Sequence, residues 1–214
     1  MRGKFITFEG GEGVGKSTQA KLLVERLAGR AIDAVLTREP GGSAFAEQLR
    51  HFMLDAATRP HGALTEALLF YAARADHLQA TIRPALGAGR WVVCDRFSDS
   101  TRVYQGAAGG VAAATLEALD RLVVGADAPD LTLLLDLDPL DGLRRVGCRG
   151  ATAGAEADRF EGRDLDFHQR LRAGYLALAN ADPKRCLIID AALRPEAIAE
   201  IVWRAVEQRL LGAG

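Results

Sequence analysis

The chain has 214 residues, with 27 basic and 28 acidic side chains and a formal net charge of −1. A chain of this length buries roughly 70–75% of the surface that its unfolded form exposes, which is enough for a core without metals or disulfides. Balanced charge argues against a nucleic-acid-binding protein, and no stretch approaches the ~18 apolar residues of a membrane span. We therefore expect one cytoplasmic globular domain over residues 1–214.

The cysteines give no sign of cross-linking or of zinc binding. Cys94, Cys148 and Cys186 are odd in number, lie far apart and show no metal-ligand spacing. Disulfide frameworks and structural zinc sites both need closely patterned cysteines. We expect neither feature.

Short apolar segments rich in β-branched residues alternate with longer amphipathic segments. Strands are predicted at 4–9, 32–37, 91–95, 131–136 and 186–190. Helices are predicted at about 16–28, 43–54, 64–86, 111–124, 139–146, 164–180 and 195–210. This alternation is typical of βα units, so we predict a three-layer αβα fold around a mostly parallel sheet.

The strongest motif starts directly after the first predicted strand and runs into the first predicted helix. It matches GxxxxGK[ST], the phosphate-binding P-loop. Glycines bring backbone N–H groups close to phosphate oxygens, and the helix points the positive end of its dipole at the same anion. Lys16 would reach the β- and γ-phosphates, and the Ser17 hydroxyl would join a Mg²⁺ shell. The predicted ATP-binding residues of this segment are Gly10, Gly11, Glu12, Gly13, Val14, Gly15, Lys16, Ser17 and Thr18.

Two predicted strands end in an aspartate that could orient magnesium-bound water. Asp95 is followed at once by Arg96, which joins a cation-orienting group to a phosphate-binding group. We therefore assign the metal to Ser17 and Asp95. Asp136, at the end of the other strand, is expected to cap the turn into the next helix.

The segment 147–158 interrupts the regular pattern. It is rich in glycine and alanine and has no apolar periodicity. Such a segment inside a compact domain is typical of a lid, a binding loop or disorder. Because Arg144, Arg145 and Arg149 lie close to it, we predict a short mobile lid over about residues 145–160.

A nucleotide site alone does not identify the phosphoryl acceptor. GTPase switches need an Asn-Lys-x-Asp tetrad, and the one asparagine of this chain, Asn180, does not begin one. A kinase of small molecules needs a second group of cations, since two like-charged phosphates must meet. Arg38, Arg74 and Arg96 are the candidates for that group.

Five further motifs follow in order: TREPGG at 37–42, LFYAAR at 69–74, DRFSDST at 95–101, YQG at 104–106 and DRFE at 158–161. Together with the P-loop they resemble the signatures of bacterial thymidylate kinases, and the resemblance spans about residues 4–190. TREPGG and YQG are far more specific than the P-loop, which many unrelated NTPases share. The resemblance implies a P-loop kinase fold with a five-stranded parallel sheet, ATP and Mg²⁺, dTMP as acceptor, and a homodimer.

The resemblance also implies roles for individual residues. Phe70 would stack on thymine, although its helical spacing alone is typical of a core residue, and Arg74 with Gln105 would bind the polar edge of the base. Arg38 and Arg96 would hold the acceptor phosphate. The full dTMP-binding set is Glu12, Arg38, Phe70, Arg74, Arg96, Ser100, Thr101, Tyr104 and Gln105.

Relatives of this type have no arginine in the P-loop and supply one from the lid. Arg145, Arg149 and Arg159 are the candidates here, and we favour Arg149 because it lies in the predicted lid. Arg145 is assigned to ATP binding, and the catalytic set is Lys16, Asp95, Arg96 and Arg149. The expected reaction is ATP + dTMP → ADP + dTDP, a step in dTTP synthesis. The alternatives are a kinase of another small acceptor and a P-loop regulatory ATPase that transfers nothing.

Overall fold

The computed structural model of the chain describes residues 2–55, 61–153 and 162–212, and for residues 149–153 it describes the backbone alone. Its strands are β1 (Phe5–Glu9), β2 (Ala34–Arg38), β3 (Trp91–Asp95), β4 (Leu131–Asp136) and β5 (Cys186–Asp190). They form one sheet in the order β2-β3-β1-β4-β5, and every pairing is parallel. The five predicted strands are confirmed, with ends that differ by two residues at most.

Helices cover both faces of this sheet. They are α1 (Lys16–Ala28), α2 (Ala44–Leu54), α3 (Ala63–His77), α4 (Arg83–Gly87), α5 (Ser98–Thr101), α6 (Ala113–Val123), α7 (Pro139–Ala153), α8 (Leu165–Ala181) and α9 (Pro195–Val206). Turns of π-helix at Leu78–Ile82, Arg102–Ala107 and Glu207–Leu211 extend α3, α5 and α9. The predicted three-layer αβα arrangement is confirmed.

Side chains of β1 and β3 alternate between two cores. Ile6 and Val93 belong to a cluster with α1 and α9, whereas Phe5 and Val92 belong to a cluster with the π-helical turn after α3. Alternation of this kind places the clusters on opposite faces of the sheet. Each fully buried aliphatic or aromatic side chain stabilises the fold by roughly 1.5–3 kcal/mol, so burial on both faces fixes the strand order.

The parallel register brings functional positions to one edge of the sheet. Phe8 of β1 and Arg38 of β2 both pair with Asp95 of β3. The residues that follow these strands therefore leave the sheet side by side. In open parallel sheets, this carboxyl edge is where ligands bind.

Two helical regions differ from the prediction. The helix predicted at 139–146 continues as α7 through Ala153, because alanine and arginine favour helix strongly enough to offset the glycines. Residues 98–107, which were not predicted as helix, form α5 and its π-helical turn. Their serines and glycine favour turns, but Val103 and Tyr104 pack against α8, and this tertiary contact stabilises the helix. Residues 154–161, the remainder of the predicted lid, lie outside the described residues.

The prediction that Asp136 caps the following helix is wrong. Both of its carboxylate oxygens accept hydrogen bonds from Arg172 of α8, at 2.8 and 2.9 Å. Asp138 takes the expected role, since its Oδ1 accepts the N–H of Leu140 at 2.9 Å. Asp136 thus joins β4 to α8.

Three further findings concern the cysteines, the metal-ligating side chains and the apolar helices of the described residues. Cys94 and Cys186 are buried, and Cys148 is exposed. No group of three or more metal-ligating side chains occurs within the described ranges. Over the same residues, no helix is both long enough and apolar enough to cross a membrane.

Candidate active site

A cleft of about 330 Å³ opens at the carboxyl edge of the sheet, between the P-loop and α3. All nine residues of the predicted dTMP set line it, together with Lys16, Ser17, Thr18 and Asp95. The cleft is also lined by Gly13, Gly15, Glu39, Pro40, Arg50, Leu54 and Phe97. The structure therefore brings the predicted nucleotide segment and the predicted acceptor residues into one space.

The P-loop depends on glycines at two positions for different reasons. Gly15 has φ +95° and precedes the first residue of α1, a conformation that residues with a Cβ rarely adopt. Gly13 has φ +69°, and a Cβ there would lie 2.1 Å from the carbonyl oxygen of Gly142 in α7. At Gly13 the backbone of the loop thus packs directly against α7. At Gly15 the loop turns into α1 with no side chain beside the N–H group.

Lys16 is folded back over the P-loop. Its Nζ donates to the carbonyl oxygens of Gly11 at 2.6 Å and Gly10 at 3.2 Å, and the residue is only 7% exposed. Burial and the charge of Arg96 lower the pKa of Lys16 to about 8, against the opposing effect of Glu12 and other carboxylates. A phosphate group in the cleft would stabilise the charged ammonium form of Lys16 and raise its pKa again.

Ser17 and Asp95 meet at the predicted metal position. The Ser17 hydroxyl donates to Oδ2 of Asp95, so the first turn of α1 is joined to the end of β3. Both groups are hard oxygen donors, and Mg²⁺ prefers such ligands while keeping several waters and phosphate oxygens. The donor set fits a magnesium ion held by one or two protein oxygens.

Arg96 is the most tightly held cation of the cleft. Its Nη2 donates to Oε1 of Glu12 at 2.6 Å, and its Nη1 donates to Tyr175 at 3.0 Å, to Gly10 at 2.9 Å and to Ser100 at 3.2 Å. Its backbone has φ +68°, a left-handed conformation that is unusual for a residue with a side chain. Strain of this kind persists where the surroundings fix the residue, and here it directs the guanidinium beneath the cleft.

Two glutamates flank Arg96 and respond to it differently. Burial opposes ionisation of Glu12, but the charges of Arg96 and Lys16 and hydrogen bonds from Tyr104 and Arg96 prevail and lower its pKa to about 2. Glu9 is 1% exposed, and burial together with the charge of Asp99 raises its pKa to about 7. Glu9 accepts the backbone N–H of Phe97 at 2.8 Å and a serine hydroxyl, and its raised pKa makes it less fully ionised than Glu12 at neutral pH.

Arg74 forms the opposite end of the cleft and is 2% exposed. Its Nε donates to Glu39 at 2.8 Å, and its Nη2 donates to Thr101 at 3.0 Å. Its buried Nη1 has no hydrogen-bond partner among the residues that the structure describes. This nitrogen is sealed from the cleft, whereas Nη2 keeps a second N–H beside Thr101, which also lines the cleft.

Arg38 lies at the rim and is held more loosely. Its side chain is 55% exposed, and Nη2 donates to both oxygens of Glu47 at 3.1 and 3.3 Å. Arg50, on the next turn of α2, also lines the cleft and donates to the carbonyl oxygen of Pro40 at 2.7 Å. The peptide between Glu39 and Pro40 is cis.

Several site residues were not found from the sequence. Arg50 follows Glu47 by three residues, about one helical turn, so both charges lie on the same side of the helix after TREPGG. This spacing is the signal in the sequence that could have identified Arg50. Glu9 gave a weaker signal as an acidic residue at the end of an apolar strand. Tyr175 gave none, because it lies in the apolar stripe of α8 and reaches Arg96 only through the tertiary fold.

Some predicted nucleotide residues lie outside this cleft. Gly10, Gly11 and Val14 line a smaller cavity beneath the P-loop instead. Arg145 of α7 donates to the carbonyl oxygen of Ala191 at 2.9 Å, after β5, and does not line the cleft. The side chain of Arg149 and all of Arg159 lie outside the described residues.

A family model described as thymidylate kinase matches residues 8–202 of the chain. A thymidylate kinase from Nitrobacter winogradskyi is 50% identical over 213 residues, which cover 100% of this chain and 92% of that protein. A thymidylate kinase from Caulobacter vibrioides is 48% identical over 209 residues, which cover 98% of each chain.

A solved structure gives the same relationship in three dimensions. The crystal structure of thymidylate kinase from Ehrlichia chaffeensis superposes with a TM-score of 0.76 at 31% identity and covers 96% of this chain and 99% of that chain. The similarity thus extends over the sheet, its helices and the segments that line the cleft. The chain belongs to the thymidylate kinase family.

Proposed function

We propose that the protein transfers the γ-phosphoryl group of ATP to the phosphate of dTMP and releases ADP and dTDP. The observation that carries this proposal is one cleft that is lined both by the P-loop lysine and by Phe70, Arg74 and Gln105 of the acceptor set. A donor phosphate and an acceptor base each find matching groups there. Membership of the thymidylate kinase family supports the same reaction.

The thymine base is recognised by stacking and by directional hydrogen bonds. Phe70 lines the cleft from α3, where its ring can lie against the base. The second N–H of the Arg74 Nη2, which Thr101 does not use, donates to a keto oxygen of the base. Gln105, 1% exposed and held by Glu66 at 3.2 Å, offers its amide to the same polar edge.

The acceptor phosphate lies between a fixed and a movable cation. Arg96 is held in place by Glu12 and Tyr175, whereas Arg38 at the rim exchanges its pairing with Glu47 for the incoming phosphate. Charge-assisted hydrogen bonds from arginine suit phosphate oxygens well. Tyr104 donates to Glu12 at 2.6 Å and packs beside the sugar, where it disfavours a 2′-hydroxyl.

The transfer needs positioning and charge more than proton chemistry. An oxygen of the dTMP phosphate, already ionised at neutral pH, attacks the γ-phosphorus in line, and the bond to the β–γ bridging oxygen breaks. The bridging oxygen leaves with its electron pair on ADP, so no strong general base is required. Lys16 stabilises the charge that develops on the β- and γ-phosphates.

Mg²⁺ would be held by Ser17 and Asp95 together with the phosphates of ATP. The two oxygens already touch across the cleft and supply the hard ligands that this ion prefers. When bound, the ion neutralises phosphate charge. The chain itself contributes the orientation, since Asp95 is fixed in β3 and Ser17 in the first turn of α1.

A lid arginine completes the charge stabilisation, and we assign this role to Arg149 with Arg145 and Arg159 as alternatives. Support for Arg149 comes from α7, whose backbone continues from the P-loop contact at Gly142 through Ala153. The pairing of Arg145 with Ala191 favours a structural role for that residue.

The protein is proposed to act as a homodimer through α3 and α6. Leu64 and Leu68 are each 50% exposed, and Leu122 is 81% exposed. These helices contact each other through Tyr71, which donates to Asp120 at 2.7 Å, so the leucines belong to adjoining surfaces. Leu122→Asp is expected to give a monomer in sedimentation, while Leu140→Asp, a change at an exposed leucine of α7, leaves a dimer.

The reaction is tested by the release of ADP with dTMP, dUMP, dCMP, AMP or GMP as acceptor. dTMP should stimulate turnover far more than the other nucleotides, and ATP should be hydrolysed only slowly without an acceptor. Stimulation by a different nucleotide alone would identify another acceptor. Turnover that rises with a macromolecule and ignores dTMP would identify a regulatory ATPase.

A further inference from the structure

We propose that His77 is a positioning residue that sets selectivity for the acceptor base by acting through Glu39 on Arg74. The inference rests on the proposed function, in which Arg74 reads a keto oxygen of thymine. His77 touches neither substrate in this arrangement. Its role is to fix the direction in which the guanidinium presents its remaining N–H groups.

A buried chain of hydrogen bonds joins His77 to Arg74. The Nδ1 of His77 lies 3.0 Å from Oε1 of Glu39, and the other carboxylate oxygen accepts the Nε of Arg74 at 2.8 Å. His77 is 0% exposed, Glu39 6% and Arg74 2%. With water excluded from all three, each group depends on the next for its hydrogen bond.

The chemistry of these partners assigns the direction of each bond. A carboxylate only accepts, so Nδ1 of His77 carries the proton that it shares with Glu39. The Nε2 lies 2.7 Å from the hydroxyl of Thr37, which holds the far side of the ring. The imidazole is thus fixed at both nitrogens, and it prevents the Glu39 carboxylate from rotating away from Arg74.

Gly42 of the TREPGG segment gives independent support for the importance of this arrangement. A Cβ at Gly42 would lie 2.3 Å from Nε2 of His77 and 2.4 Å from Oγ1 of Thr37. The carbonyl oxygen of Gly42 is itself held by the hydroxyl of Thr81 at 2.7 Å. The loop therefore comes so close to the imidazole that only a glycine fits between the loop and the ring.

The consequence for selectivity follows from the N–H group that Arg74 has left for the base. Glu39 accepts from Nε and Thr101 accepts from one of the two N–H groups of Nη2, while Nη1 is sealed from the cleft. A keto oxygen on the base accepts from the second N–H of Nη2, whereas an amino group at that position brings donor against donor. A site built for a hydrogen bond rejects a ligand that cannot make it, provided that the site is held rigidly.

The test compares dTMP with 5-methyl-dCMP, which has an amino group in place of the 4-keto oxygen. In His77→Leu, kcat/KM for dTMP should fall through a higher KM, and the preference for dTMP over 5-methyl-dCMP should fall roughly tenfold. The KM for ATP should not change. His77→Asn places an amide nitrogen near the position of Nδ1, so it should recover most of the preference.

Two further variants keep the test decisive if His77→Leu does not fold. Thr37→Val removes only the hydroxyl that holds Nε2 and should lower the preference in the same direction, by less. His51→Leu, which changes an exposed histidine of α2, should match the unmodified protein. A folded His77→Leu or Thr37→Val protein that keeps the full preference, or that loses activity equally with both acceptors, would overturn the role of His77. Failure of the unmodified protein to use dTMP would instead refute the proposed function itself.

Discussion

The P-loop contributes to the cleft through the main chain of one continuous segment, whereas the acceptor side contributes guanidinium groups from β2, α2, α3 and the residue after β3. We call the P-loop residues that line the cleft, namely residues 12, 13 and 15–18, the floor, and Arg38, Arg50, Arg74 and Arg96 the acceptor wall. Three wall arginines each have a glutamate partner: Arg38 with Glu47, Arg74 with Glu39 and Arg96 with Glu12.

These three glutamates explain how several arginines can lie close together in one cleft although their charges repel each other. The two buried pairs hold their arginines rigidly, and the exposed pair at Arg38 is the one that solvent screening weakens. The backbone N–H groups of the floor need no such partners because they carry only partial charge, whereas the charge of Lys16 is favoured by Glu12 and Asp95 nearby. The wall is thus expected to govern acceptor binding, and the floor with the lid to govern the rate of transfer.

The largest expected effect concerns the lid arginine above the floor. Arg149→Ala should lower kcat by ~10³-fold or more, because an arginine at the transferring group stabilises charge mainly in the transition state. The KM for dTMP should change little. Rapid-quench measurement of the first turnover checks this, with Arg144→Ala as the control because Arg144 is highly exposed and pairs with Asp141. A normal first-turnover rate would transfer the role to Arg145 or Arg159.

The acceptor wall should give the opposite kinetic pattern. Phe70→Ala removes the proposed stacking surface, and a stacked base is worth ~1–3 kcal/mol, so KM for dTMP should rise about tenfold to a hundredfold. The kcat and the KM for ATP should stay within a few-fold of the unmodified protein. Phe45→Ala, at an exposed position of α2, provides the comparison. A fall in kcat without a change in KM would make Phe70 a core residue, as its spacing alone suggests.

The floor has a pH signature through Lys16. Since burial and Arg96 lower the pKa of Lys16 to about 8, the free enzyme loses this charge as the pH rises through that value. kcat/KM for ATP should then fall by up to about tenfold per pH unit above 8, while kcat at saturating ATP stays level because bound phosphate keeps the amine protonated. Lys16→Arg should be slower but should lack this alkaline limb. A level kcat/KM up to pH 9.5 would contradict the assignment.

The fold and most of the cleft were predictable because they depend on local patterns and contiguous motifs. The strands follow from apolar runs, the floor from GxxxxGK[ST], and Arg38, Arg74 and Arg96 from motifs in chain order. The glutamate partners, Tyr175 and the helix over 98–107 were not predictable, because each depends on contacts between segments that are distant in sequence. The exception is Glu47 of α2, which lies only nine residues after Arg38 of β2, whereas Glu12 meets Arg96 only once β1 and β3 have paired.

Glu9→Gln should have the smallest effect on catalysis and a clear effect on stability. The pH dependence of stability distinguishes Glu9 from Glu12, the other glutamate beside Arg96. The folded state raises the pKa of Glu9 to about 7, so between its unfolded value near 4.5 and pH 7 the folded protein binds more protons than the unfolded protein. The free energy of unfolding then falls with rising pH in this window, by at most about 1.4 kcal/mol per unit. Glu9→Gln should remove that dependence and gain stability relative to the unmodified protein from pH 5 to pH 8, as urea unfolding would show.

Glu12 provides the matched control, because its pKa is shifted in the opposite direction to about 2. Its ionised form stabilises the fold at neutral pH, and this contribution is lost as the pH falls from about 4.5 toward 2. Glu12→Gln should therefore be less stable than the unmodified protein at pH 7, with a difference that shrinks on acidification. If both variants changed stability with the same pH dependence, Arg96 would not distinguish its neighbours. In that case Glu12 would not be the charged partner of Arg96, and Glu9 would not be the less ionised group that supports residues 97–100.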